Sequence, residues 1–216
     1  MTEEKMQGEF GWTGEIPTDA KERYSRLLLK IVQRKKQVDE LIKMLEKDTN
    51  WLTDPASTRF HMSQKFGLLI HSVNVTEILL KLRETLASKI SEESCVIAGL
   101  FHDLGKVGMP GKPYYLPNTD DWEIKYRGKK YVVNNSLPTV SVSVRSLYIL
   151  SKFVPLLDEE VQAIVYHDGL FVESGKEILG KEEPLTLLLH WSDYWATKVI
   201  EDKKVPSSSK DYFDKI

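Results

Sequence analysis

The residues of this chain best suited to chemistry are two histidines and two aspartates. His102 and Asp103 end the apolar segment Cys95-Val-Ile-Ala-Gly-Leu-Phe-His-Asp-Leu-Gly-Lys106. His71 lies about thirty residues upstream and Asp193 about ninety downstream, each in its own mainly apolar stretch of helical periodicity. Neighbouring side chains on a helix diverge by about 100°, so His102 and Asp103 do not satisfy each other, but both can converge on an ion seated between them. Two imidazoles and two carboxylates suit one divalent transition metal, Mn²⁺, Fe²⁺, Co²⁺, Ni²⁺ or Zn²⁺, with positions left open for water. An ion with an open position acidifies its water and polarises a phosphoryl oxygen, so hydrolysis of a phosphoester is the natural reaction of such a set.

The elements that must position these residues follow from the pattern. Ser91-Glu-Glu-Ser reads as a cap and acidic first turn for the helix that ends at the His-Asp pair, and Gly105 reads as its stop. That helix is apolar or small almost all round and is expected to be buried, Cys95 included. Leu69, Val73, Ile78, Leu79, Leu82 and Leu86 form one helical face, with His71 near its start. Pro184 opens a last strong helix to Ile200, in which Asp193 stands among Leu188, Leu189, Trp191, Tyr194 and Trp195, and a carboxylate in such company needs a partner.

The rest of the chain frames this set. Residues 1–17 read as an irregular arm carrying Phe10, Trp12 and Ile16, and the tail from residue 203 reads as frayed. Tyr24, Leu27, Leu28, Ile31, Val38, Leu41, Ile42 and Leu45 predict one helix over 18–48, a packing or homodimer helix. After Lys106, three prolines and two glycines in ten residues forbid a helix. The alternation of Trp122–Val133 about Arg127-Gly128 then predicts a small β-hairpin. This 107–138 insertion is expected at the mouth of the site, where Lys112, Tyr114, Tyr115 and Lys125 are placed to meet an anionic or base-bearing ligand. From about Thr139 a helix is expected to pack through Val140, Val144, Leu147, Tyr148 and Leu150, with Arg145 toward water. Asp158-Glu-Glu opens a further helix that ends at His167-Asp168-Gly169.

Composition bounds the whole. A chain of 216 residues fits one domain, and a net charge of −2 with no long basic run carries no footprint for duplex nucleic acid. No segment reaches the length of a membrane span and no signal peptide is evident, so a cytoplasmic location is expected; the single cysteine agrees with a reducing compartment.

Four blocks together resemble the HD-domain metal-dependent phosphohydrolases over residues 52–200: Pro55-Ala-Ser-Thr-Arg-Phe-His61, Gly67-Leu-Leu-Ile-His71-Ser-Val-Asn-Val75, Leu100-Phe-His-Asp-Leu-Gly-Lys106 and Leu189-His-Trp-Ser-Asp193-Tyr-Trp-Ala-Thr197. The chain looks most similar to stand-alone bacterial and phage members, whose HD domain is like that of YhaM-type 3′-5′ exoribonucleases. The resemblance implies an all-α helical bundle, here with the small β-hairpin insertion. It assigns His71, His102, Asp103 and Asp193 as metal ligands and brings Lys106 close to phosphate. Close relatives often carry a further histidine where Val142 or Ser143 stands, so a single ion is expected. They also carry a histidine at the position of His167, which is kept and is suited to protonating the leaving group. Asp103, Lys106 and His167 are thus the catalytic candidates, and Lys106, Arg145 and Tyr115 the substrate-binding ones. The expected function is hydrolysis of a nucleotide or similar small phosphoester through a metal-activated water. Two other readings stand beside it. One is a 3′-5′ exonuclease on single-stranded nucleic acid, with Tyr114, Tyr115 and Trp122 as stacking platforms. The other, motivated by the absent histidine, is a non-catalytic nucleotide-binding module.

Overall fold

The structure, a computed structural model, describes residues 17–201. The expected tail over 203–216 and the expected arm, Pro17 apart, lie outside the described residues. Eight α-helices and one two-stranded ribbon are found among those described: α1 (Thr18–Leu28), α2 (Lys35–Asp48), α3 (Gly67–Leu86), α4 (Glu92–Phe101), β1 (Tyr115–Pro117), α5 (Asp121–Arg127), β2 (Tyr131–Val133), α6 (Val142–Leu150), α7 (Asp158–Tyr166) and α8 (Pro184–Trp195). The all-α class with a small hairpin is therefore what the chain forms. No described helix is long and apolar enough to cross a membrane.

α3 and α4 form the centre, and α8 packs against both. Leu68, Leu69, Val73, Val75 and Leu79 from α3 meet Cys95, Val96, Ile97, Ala98, Leu100 and Phe101 from α4 in one apolar core. The two helices approach so closely that a Cβ on Gly99 would stand 2.6 Å from Thr76 Oγ1. The Ser91 hydroxyl accepts the Ser94 N–H and caps α4 as expected. Gly105 is not the helix stop. The helix ends at Phe101 and the chain continues as a 3₁₀ turn over Leu104–Val107. A Cβ at Gly105 would lie 2.2 Å from the Val142 carbonyl oxygen, so this glycine admits α6.

The single helix expected over 18–48 is two. The chain turns between Leu28 and Lys35, where the N–H groups of Val32, Gln33 and Arg34 all donate to the Glu93 carboxylate at 2.8, 2.8 and 3.2 Å. The Arg34 guanidinium then bridges Glu93 at 2.8 Å and the fully buried Glu160 at 2.6 Å. A periodic apolar stripe is blind to this, because the carboxylate that captures the turn comes from another helix. The apolar positions Tyr24, Leu27, Val38, Leu41 and Leu45 are buried within the protomer on both sides of the break.

The insertion also differs from the expected hairpin. Its strands are β1 and β2, antiparallel with Tyr115 opposite Val133, and Trp122–Arg127 is helix α5. The Asp120 carboxylate accepts the N–H groups of Trp122 and Glu123, and Gly128, at φ 63°, closes the other end. Acidic residues in the first turn and basic ones in the last suit the helix dipole, and these end signals outweigh the alternation.

α6 is rotated from its expected orientation. Ser143, Arg145, Ser146, Ile149 and Leu150 face inward, whereas Val140, Val144 and Tyr148 are exposed. Polar anchors decide it: Ser146 Oγ accepts the Gly105 N–H at 2.7 Å. Arg145, expected in water and as a substrate contact, is 5% exposed. Its guanidinium donates to the carbonyls of Pro138 at 3.0 Å and Gly105 at 3.5 Å, and lies over the Tyr114 ring. Its donors hold the turn that follows the His-Asp pair.

Candidate metal centre

Three helices deliver the four sequence-derived ligand candidates to one place. His71 comes from the second turn of α3, His102 and Asp103 from the end of α4, and Asp193 from the last turn of α8. His71 and His102 are fully buried and Asp103 nearly so, while the Asp193 side chain remains 21% exposed and opens the site toward solvent. His71 Nε2 stands 3.2 Å from Asp193 Oδ1 and 3.5 Å from Asp103 Oδ2, and His102 Nε2 stands 3.5 Å from Asp103 Oδ2. Donor atoms of His71, His102 and Asp193 lie within 4.8 Å of one another, and so do those of His102, Asp103 and His167.

The tautomers explain why these nitrogens face inward. His102 Nδ1 sits 2.8 Å from the Gly99 carbonyl and His167 Nδ1 2.8 Å from the Ile164 carbonyl, so both must carry the proton there. His71 Nδ1 is held by both oxygens of Glu201, at 3.2 and 3.1 Å. Each imidazole, when neutral, therefore presents its Nε2 lone pair. The Nε2 atoms of His71 and His102 are buried without a hydrogen-bond partner among the described residues. Buried orphan acceptors facing two carboxylates fit a divalent cation, and a carboxylate behind a ligating imidazole is the usual support for one.

Electrostatics agree with a cation site. Burial alone would raise the pKa of Asp103, but Lys106 and the imidazoles hold it well below the usual carboxylate range. Asp193 is likewise held down against burial, chiefly by His71. Burial opposes charge on His71, yet Glu201, Asp103 and Asp193 raise its pKa well above the ordinary value. Lys106 Nζ donates to Asp103 Oδ2 at 2.5 Å, and that carboxylate keeps the half-buried ammonium charged.

The remaining candidates divide. His167 joins the site, with Nε2 3.7 Å from Asp103 Oδ1 and its ring 4.8 Å from that of His102. Tyr115 is 7% exposed and its hydroxyl donates to the Ala56 carbonyl at 3.3 Å. The ring of Tyr114 lies under Arg145, and Trp122 is on the surface against Tyr126 and Arg127. These three aromatics do not form one open stacking platform. The hairpin instead braces residues 54–61, since the Tyr131 N–H also donates to the Thr58 carbonyl.

Three side chains at the site were not singled out from sequence: His61, Asp168 and Glu201. His61 belongs to a block quoted above, and its ring lies 4.9 Å from that of His71. Burial, then the charges of His71 and Lys106, push its pKa down to about 4. Asp168 offers a donor atom within 4.8 Å of those of His167 and Asp193. Glu201, 1% exposed at its side chain, also accepts the Asn74 amide at 2.9 Å. It follows the last helical turn in a charged stretch, and nothing local marks it.

Residues 68–167 match the family model described as HD domain. The chain carries an HD domain over this span, which holds His71, His102, Asp103 and His167, and HD domains are generally metal-dependent phosphohydrolases that bind divalent ions. No curated protein and no solved structure matches the chain.

Proposed function

We propose that this protein is a metal-dependent phosphohydrolase acting on a nucleotide or a similar small phosphoester. The observation that carries the reading is the convergence on Asp103 and Asp193 of the Nε2 atoms of His71 and His102, which have no hydrogen-bond partner among the described residues. These four residues would hold one divalent ion, with Glu201 fixing the tautomer of His71. When bound, such an ion acidifies water and polarises a phosphoryl oxygen. The chain's own groups supply the rest. The Lys106 ammonium, kept charged beside Asp103, opposes the charge that develops on the phosphoryl oxygens. His167, anchored through Nδ1, holds a proton at Nε2 when charged and can pass it to the leaving oxygen. A cytoplasmic location belongs to the same proposal.

The test is metal content of the purified protein, followed by phosphate and nucleoside release from mono- and triphosphate nucleotides and a short oligonucleotide with Mn²⁺, Co²⁺ or Ni²⁺. Release from one nucleotide class, abolished by Asp103→Ala, is expected. Bound metal with tight nucleotide binding and no turnover on any substrate would instead identify a binding module. Release from the oligonucleotide alone would identify an exonuclease.

A further inference from the structure

His61 reaches the site from a loop held in a conformation its own residues disfavour. Met62, at φ 45°, and Phe66, at φ 65°, both occupy the left-handed region without being glycine. Such strain persists only where the surroundings over-determine it, and it clusters at functional sites. Here the surroundings are explicit. The Ser57 hydroxyl donates to the His61 carbonyl at 2.7 Å, and the Ala56 N–H donates to the Met62 carbonyl at 3.1 Å. A Cβ on Gly67 would lie 2.0 Å from that Met62 oxygen, so the chain is pressed against the start of α3. From the other side, Tyr115 and Tyr131 bond the carbonyls of Ala56 and Thr58.

All this bracing places an imidazole whose Nε2 is buried and has no hydrogen-bond partner among the described residues. A packing histidine would not leave that atom unsatisfied. An ion does not explain it either, although His61, His71 and Glu201 offer donor atoms within 4.8 Å of one another. His71 shares its Nδ1 proton with Glu201 and turns Nε2 toward Asp103 and Asp193, so it has no lone pair left for a second ion beside His61. Within electrostatic reach of His61 lie His71, Lys106, Glu201 and Asp193, and of these Lys106, ion-paired with Asp103, is the ammonium that the proposed reaction uses for phosphate.

We propose that His61 is a substrate-binding residue, whose Nε2–H donates to a non-bridging oxygen of the same phosphoryl group that Lys106 neutralises. The inference rests on the phosphohydrolase reading and adds a contact to it: substrate phosphate is the partner that the described residues do not supply. The loop strain and the hairpin brace are then what pre-organise the phosphate pocket.

Titration of the metal-loaded protein with inorganic phosphate, followed by calorimetry, tests it. His61→Leu should weaken phosphate binding about tenfold or more, the loss expected for a hydrogen bond to a charged group. His61→Gln, which keeps an N–H donor near the Nε2 position, should recover most of that loss. Metal content and unfolding temperature should stay those of the wild type in both variants. Unchanged phosphate affinity in His61→Leu overturns the proposal, as does metal loss in step with phosphate binding, which would make His61 a ligand. A metal-loaded wild type that binds no phosphate overturns it too. Phosphate binding that depends on His61 in a protein that hydrolyses nothing would remove the enzyme reading and keep the contact. Hydrolysis with phosphate binding indifferent to His61 would do the reverse.

Discussion

Two walls meet at the candidate metal centre, and they are made differently. One is built from α3, α4 and α8, whose packed faces carry His71, His102 and Asp103 buried beside the core and Asp193 at its solvent edge. The other is built from residues 54–66, the β1–β2 ribbon and α6, and it is held by side-chain-to-backbone hydrogen bonds and by two left-handed residues. In the first wall, the packing that makes the fold also makes the site, because the helices have nowhere else to go. In the second, polar anchors hold His61 and the turn after Asp103 in place, beside buried apolar residues such as Phe66, Tyr115, Ile149 and Leu150. Damage to the first wall should therefore appear in metal binding, and damage to the second in substrate binding or stability with the metal retained.

The largest effect is expected from His102→Ala or Asp103→Ala. Either should lose the ion and lower hydrolysis by about 10³-fold or more, since a bound metal supplies several kcal/mol of transition-state stabilisation. Elemental analysis beside a phosphate-release assay checks it, and retention of both metal and activity would dissolve the distinction between the walls. Glu201→Gln keeps the shape but weakens the acceptor behind His71. Metal affinity should fall about 10–100-fold, with phosphate affinity of the fully loaded protein little changed.

On the second wall, Arg145→Met removes the donor of the Pro138 carbonyl and one of two donors of the Gly105 carbonyl, which also accepts the Gly108 N–H at 3.2 Å. A loss of about 1–3 kcal/mol in unfolding free energy is expected, with metal affinity preserved. Denaturant titration with and without metal measures both. A drop in metal affinity as large as that of Glu201→Gln would show that the turn held by α6 belongs to the metal wall.

The smallest effect lies away from both walls. Burial acts to raise the pKa of Glu93, but Arg34 and the N–H groups of Gln33 and Val32 outweigh it and hold the pKa below the ordinary value of 4.5. A depressed carboxylate contributes stability that is present above its unfolded pKa and is lost as pH falls through the folded one. The destabilisation caused by Glu93→Gln should thus be full near pH 7 and shrink below about pH 4.5. Thermal unfolding of both proteins across that range reads it, and a gap that stays constant with pH would mean that Glu93 acts by shape rather than charge.

The two walls also differ in how legible they were. His71, His102, Asp103 and Asp193 stood out because each breaks a strongly apolar helical pattern, and such a pattern is enough to locate a helix and its buried face. The turn at 29–34, the helix at 121–127 and the orientation of α6 were not legible from apolar periodicity. Each is decided by a single polar partner: Glu93 for the turn, the Asp120 cap for α5, and the Gly105 N–H on Ser146 for α6. The Asp120 signal is local and was present in the sequence, but the alternation around Arg127-Gly128 masked it.

By itself, then, the sequence determined that the chain is helical and that four residues of metal-binding type sit on three apolar helical stretches, which are properties of residue type and short-range period. The HD domain was legible through the resemblance of whole blocks. Only the tertiary structure decided that Glu201 stands behind His71, that His61 enters from a braced loop, and that Arg145 turns inward to hold the Gly105 turn. Each of those depends on contacts between residues 40 to 130 positions apart. No local pattern encodes such pairings, because they arise only when separate helices pack and buried polar atoms must find partners.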